Sequence, residues 1–145
     1  MRFDIENQIS VNQAFTGAAT VSTHSYMKQT AAQDLSIGRR IALLVLPTVN
    51  AGAGSTVQIE AIQADDAALT SNVQPLGSVS VAAANFIKGK EIEVPIPQGV
   101  MNKTYLGARV TITGGTTTAS MDIYLVPQDE IAYYKSFPKV NNAAV

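Results

Sequence analysis

The stretch TYLGARVTITGGTTTASMDIYLV, Thr104 to Val126, sets Leu106, Ala108, Val110 and Ile112 on one side of an extended chain. Tyr105, Arg109, Thr111 and Thr113 take the other side. After Gly114 and Gly115 the same period resumes, with Met121, Ile123 and Leu125 against Asp122 and Tyr124. A period of two marks half-buried antiparallel strands, and a glycine pair between two such runs reads as the turn of a hairpin. The outward positions are mostly threonines, tyrosines and one arginine, so the segment reads as architecture.

Working outward, the rest of the chain repeats this pattern. Ile41–Pro47 is continuously apolar, as expected of a central strand covered on both faces, and Pro47 argues against a helix. In Thr56–Ala64, Val57, Ile59 and Ala61 alternate with Gln58 and Glu60 until Asp65 and Asp66 end the run. Leu76, Val79 and Val81 read as a short strand or strand pair. Ala82 to Phe86 reads as one helical turn or an irregular crossover. Ile92, Val94 and Ile96 alternate with Glu91, Glu93 and Pro95, and prolines at 95 and 97 put this strand at a sheet edge, because proline cannot donate to a ladder. Ala18 to Met27 is β-prone. About eight short strands between Gly-, Pro- and Asn-rich turns predict an all-β sandwich or barrel. The predicted sandwich covers residues 18–127. Residues 1–17, around Phe3, Ile5, Ile9, Val11 and Phe15, are a first strand or an arm on a neighbour, and 128–145 is a C-terminal tail.

With 145 residues and 46% hydrophobic content, the chain fits one domain with a sizeable core. Charged residues make up 14% and the net charge is -1, against a usual charged share of roughly 25%. No basic footprint argues for nucleic acid. The longest apolar run, Ile41 to Leu46, is far short of a membrane span. The start, MRFDIENQ, carries charges where a secretion signal has its apolar segment, so synthesis and use without Sec-type export is expected. The absence of cysteine removes disulfides, thiolate catalysis and thiolate metal sites.

Few residues carry candidate chemistry. His24 is the only histidine. It lacks metal-site spacing and reads as an exposed or hydrogen-bonded strand residue. Asp65 and Asp66 lack the pattern of a calcium loop and read as turn caps. Glu91 and Glu93 share a strand face but read as charges that protect an edge. The segments NAGAGS and TGGTTT lack the following features of a phosphate loop and read as turns. Arg39, Arg40 and the Lys88/Lys90 pair suit contacts with acidic patches on a protein partner. The tail gathers Ile131, Tyr133, Tyr134 and Phe137 within seven residues. That segment either packs across its own sandwich or lies as an arm on a neighbouring subunit. As an arm it would be dispensable for folding.

Read in order, several segments resemble the capsid cement (head decoration) proteins of the Bordetella-phage type. They are QAFTGAAT (13–20), DLSIG (34–38), AGAGSTVQIEAIQADDAAL (51–69), PIPQG (95–99), YLGARVTITGGTTTA (105–119) and the last strand Ile123–Val126. The likeness spans about residues 4 to 126. Each motif is a small-residue turn or a strand, so their order and spacing carry it. The resemblance implies a jelly-roll-like antiparallel β-sandwich on the outside of an icosahedral head. It implies no catalysis, no cofactor, no direct nucleic-acid contact and no membrane. Its partners would be the HK97-type major capsid protein and further copies of itself, as a dimer or trimer. The tail departs from that family, so an interface formed by Phe3, Ile5, Arg39, Arg40, Ile131, Tyr133, Tyr134 and Phe137 rests on physical inference. A tail or neck component, a carbohydrate-binding sandwich and a small β-fold enzyme remain as other readings.

Overall fold

A computed structural model describes residues 8–28, 30, 35, 40–129 and 131. Apolar alternation needs a second layer to bury against, and nine antiparallel strands supply two. They are β1 (Gln8–Phe15), β2 (Thr20–Val21), β3 (Tyr26–Met27), β4 (Ile41–Val49), β5 (Thr56–Ala64), β6 (Gln74–Ala82), β7 (Ile92–Pro95), β8 (Tyr105–Thr113) and β9 (Ala119–Pro127). The first sheet has the order β1-β9-β4-β7, and the second β2-β8-β5-β6, with β3 also pairing β8. Because β2 and β3 follow one another along the same edge of β8, the second sheet is four strands wide. Only β5 and β6 are consecutive paired neighbours; every other connection between the remaining strands either changes sheet or, from β2 to β3, continues along β8. This is the jelly roll, two Greek keys rolled into two packed sheets.

The expected hairpin of Thr104 to Val126 is corrected on one point. Both strands form with the predicted faces, but they do not pair with each other. β8 lies between β2 and β5, and β9 lies between β1 and β4. Gly114–Thr118 is therefore an arch from one sheet to the other. Leu106, Ala108, Val110 and Ile112 meet Met121, Ile123 and Leu125 across the core, where a hairpin would have set them side by side. Residues 8–15, left open as arm or strand, are the edge strand β1.

β4 shows why its sequence is apolar throughout. Leu43 and Val45 join the main core, while Ala42 and Leu44 face outward under a second cluster with Val126 and Ile131. All four β4 residues are fully or almost fully buried. Right after β9 the chain folds back on its own sandwich. The Gln128 N–H donates to the Arg40 carbonyl (2.8 Å), and Gln128 Nε2 donates to Glu93 Oε1 (2.7 Å). β7 is an edge strand as its prolines required, with Val94 and Ile96 turned into the core. Ala83–Asn85 is a 3-10 turn, which settles the helical turn expected there.

The two glycine segments form one unit. The Gly52 N–H donates to the Thr118 carbonyl (2.8 Å) and the Thr116 N–H to the Ala53 carbonyl (2.9 Å). A Cβ on Gly52 would sit 2.0 Å from the Thr116 oxygen, and one on Gly115 2.1 Å from the Ala53 oxygen. Only glycine lets the β4–β5 and β8–β9 arches approach this closely.

Candidate interaction surface

The second sheet presents a polar outer face. Inward positions Val57, Ile59 and Ala61 alternate with outward Thr56, Gln58 and Glu60, and β8 and β6 add Thr111, Thr113, Ser78 and Ser80 in register. Glu60 accepts from Arg109 at 2.6 Å. One end of this face is capped by the β5–β6 loop. Leu69, at φ 58, folds over Gly107, where an added Cβ would lie 2.3 Å from the Leu69 side chain. It is buried with Ile62 and Ala64.

That loop is held by the two aspartates, in the turn-capping role expected of them. Asp66 Oδ1 accepts the N–H groups of Thr70 (2.8 Å) and Ser71 (2.9 Å). The Thr70 hydroxyl, followed by those N–H groups, holds the Asp66 carboxyl below the usual range. Asp65 accepts from Asn72 Nδ2 (2.7 Å) and Lys103 Nζ (3.2 Å). The Asn72 hydrogen bond first and Lys103 second lower its pKa, because each favours the charged form.

The first sheet differs on its outer face. One half is apolar and covered: Ala42, Leu44 and Val126 lie beneath Ile131, with Leu46 and Tyr124 partly buried beside them. The other half is exposed and irregular. Val11 and Asn12 together oppose Asp122 at a bulge in β1, and β4 is irregular between Pro47 and Val49. Bulges bend a strand and re-aim its side chains. Asn12 takes φ 43; its N–H donates to Asp122 Oδ1 (2.6 Å), and its Oδ1 accepts from the Thr48 hydroxyl. Val11 and Val49 are 58% and 54% exposed.

Of the residues expected at an interface, Arg40 is exposed and lines an open cavity of about 370 Å³ with Pro95, Ile96, Pro97, Gln98 and Gln128. Ile131 is fully buried against the outer face of its own first sheet, with Ala42, Leu44 and Val126. Phe3, Ile5, Arg39, Tyr133, Tyr134 and Phe137 lie outside the described residues. His24 is exposed, and its backbone N–H donates to the Ile9 carbonyl at 3.0 Å. Glu91 and Glu93 are half-buried at the β7 edge. Among the described residues, no group of three or more His, Asp or Glu could hold a metal ion. No helix there is long and apolar enough to cross a membrane.

Sequence reasoning missed Gln63. It is 2% exposed and ties the β7–β8 loop to the end of β5. Its Nε2 donates to Gln74 Oε1, the Val100 carbonyl and Asn102 Oδ1, and its Oε1 accepts the N–H groups of Asn102 and Lys103, all within 2.9–3.2 Å. The signal was present: Gln63 shares the parity of Val57, Ile59 and Ala61, so it had to point inward.

Comparison with known proteins places this sandwich. The sequence model of the family described as Bbp16 matches residues 9–124, from β1 into β9. No curated protein matches. One solved structure with a detectable likeness is described as the crystal structure of PirA. It is 13% identical, covers 81% of this chain and 94% of its own, and has a TM-score of 0.43; a likeness this distant says nothing about function. The family match takes in seven of the nine strands whole and most of the other two, and on that match the chain belongs to the Bbp16 family, a Bordetella-phage protein family.

Proposed function

We propose that this protein is a capsid cement protein of a phage head. It would bind the outer surface of the shell and bridge neighbouring HK97-type major capsid subunits as a homodimer or homotrimer. The observation that carries the reading is the Bbp16 match over residues 9–124, which coincides with the segments that resemble head decoration proteins. The surface is compatible with the role. Charged residues are few, at 14%, and broad sheet faces of Thr, Ser, Val and Gln suit extended, largely covered contacts.

The mechanism is bridging and avidity. Each copy touches more than one capsid subunit, and clustering around a symmetry axis turns weak contacts into a stable whole. A ligand that binds only the expanded shell stabilises it by mass action, by about 2.7 kcal/mol per site at a hundred times its dissociation constant. The role calls on no catalytic group. Tyr133, Tyr134 and Phe137 of the tail supply aromatic area with few rotors to freeze, and they contribute to contacts between copies or with the shell.

The test uses heads from a phage that lacks this protein. Purified full-length protein is added and the heads are pelleted. Saturable co-sedimentation with expanded heads, and none with unexpanded ones, supports the reading. Failure to bind heads, or binding at one vertex only, contradicts it; the latter would point to a neck or tail component.

A further inference from the structure

We infer that the outer edge of β6 is a subunit interface. It pairs antiparallel with β6 of a second copy of this chain, about a two-fold axis at Val79, and joins the second sheets of the two copies into one. The inference rests on the edges of the sandwich and stands whether or not the protein binds heads.

Among the described residues the two sheets end in β1 and β7, and in β6 and the β2–β3 line. An open edge recruits another strand unless something blunts it. Three of these edges are blunted. β1 is broken by two register shifts. β7 is four residues long, holds Pro95 and carries Glu93. β2 and β3 are two residues each. β6 has no such device along most of its length. It runs for nine residues, and its proline, Pro75, and its one register shift both precede Gly77. The chain carries no Asp, Glu, Lys, Arg or His from residue 67 to residue 87, so no charge guards residues 77–82.

The backbone says what the edge can take. The Ala83 N–H donates to the Ser55 carbonyl (2.9 Å). Antiparallel alternation along the register Val57–Val81 and Ile59–Val79 then turns the peptide groups of Val79 and Val81 toward β5. Those of Ser78, Ser80 and Ala82 point away from the sheet. The Ala82 carbonyl, so directed, accepts from the Phe86 N–H (3.2 Å). The N–H and C=O groups of Ser78 and Ser80 have no partner among the described residues, and alternating donors and acceptors of this kind fit another strand. A second copy supplies that strand by symmetry. With the axis at Val79, Ser78 lies opposite the partner's Ser80 in a hydrogen-bonded pair, Ser80 lies opposite the partner's Ser78, and every free group of the serines is used. No charge meets a charge. Val79 and Val81, half-buried at the margin of the core, are covered by their own counterparts. One open edge per copy also closes at two copies, without a fibre.

Sedimentation of the isolated full-length protein tests this, with two variants and a cysteine pair. Ser80→Pro removes an outward N–H and no bond to β5. Val11→Lys, on the exposed blunted edge β1, is the control. The wild type and the control should sediment at twice the mass of one chain through the micromolar range, and Ser80→Pro should associate at least tenfold more weakly. The chain has no cysteine of its own, so single cysteines read the register. Val79→Cys meets its copy across the axis, with Cα atoms about 4.5 Å apart, and should form a disulfide dimer on mild oxidation. Val81→Cys lies roughly 14 Å from its copy along the strands, beyond the roughly 7 Å that a disulfide spans. Melting temperatures check folding, and if Ser80→Pro melts early the cysteine pair decides alone. A monomeric or trimeric wild type overturns the inference, as does a Ser80→Pro dimer as tight as wild type. So does a Val79→Cys that cross-links no better than Val81→Cys. A monomeric wild type whose head binding is lost in Ser80→Pro would give the edge to a capsid strand instead. The cement reading falls only if wild-type protein, whatever its oligomeric state, fails to bind heads.

Discussion

Replacing Gly52 with alanine should damage this protein more than any exposed-loop substitution, and the interlocked arches give the size. Gly52 has no left-handed backbone to strain, but its new Cβ would lie 2.0 Å from the Thr116 carbonyl oxygen and 2.7 Å from the Thr116 carbonyl carbon. Neither atom is the end of a flexible side chain, so the arches must separate. Separation breaks the Gly52–Thr118 and Thr116–Ala53 hydrogen bonds, each contributing about 1 kcal/mol, and overpacking adds about 1–3 kcal/mol. The sum is about 3–5 kcal/mol, a large part of the roughly 5–15 kcal/mol typical of a domain. At about 3 °C per kcal/mol for a chain of this size, the melting temperature should fall by about 10–15 °C. Gly99→Ala is the control. It has φ +81 and nothing within 4 Å, so it isolates the cost of a left-handed alanine, about 1 kcal/mol. Thermal melts followed by circular dichroism compare the two. If Gly52→Ala melts within about 3 °C of wild type, or above Gly99→Ala, the account of the arches is wrong.

Four other consequences are as direct. Gln63→Leu removes the buried amide whose oxygen accepts the N–H groups of Asn102 and Lys103, and urea unfolding should register a loss of about 1–3 kcal/mol. Ile131→Ala should cost about 2–5 kcal/mol from the cavity left over Ala42 and Leu44. Truncation after Pro127 should cost at least as much, since it also removes the Gln128 bonds to Arg40 and Glu93; a truncated chain that melts like wild type would return the whole tail to the role of a dispensable arm. Acid should weaken the fold through the β5–β6 loop. The Asp65 and Asp66 carboxyls titrate below their unfolded value of 3.8 when folded, so their contribution is present above that value and is lost as pH falls through the lower folded values. In Asp65→Asn/Asp66→Asn the decline of stability between about pH 5 and 3 should be shallower than in wild type, measured by denaturant midpoints.

Much of the sandwich was legible because its strands alternate cleanly. The edge position of β7 followed from Pro95 and Pro97, and the double-sided burial of β4 from the unbroken run Ile41–Leu46. The pairing of β8 was not legible. A period of two says which side chains share a face, and a hairpin and a sheet-changing arch leave the same period behind. The glycines around the arch looked like ordinary turns for the same reason: their purpose is an approach between residues 52–54 and 115–118, and no local pattern encodes a contact over that separation. Gln63 needed only a longer count of parity along β5.

The central claim, a cement protein on the outer head, is tested most directly by cryo-electron microscopy of intact particles beside particles lacking this protein. The account predicts jelly-roll density outside the shell at two-fold or three-fold axes in the first map and its absence in the second. Identical shells in the two maps, or density confined to a single vertex, would contradict it.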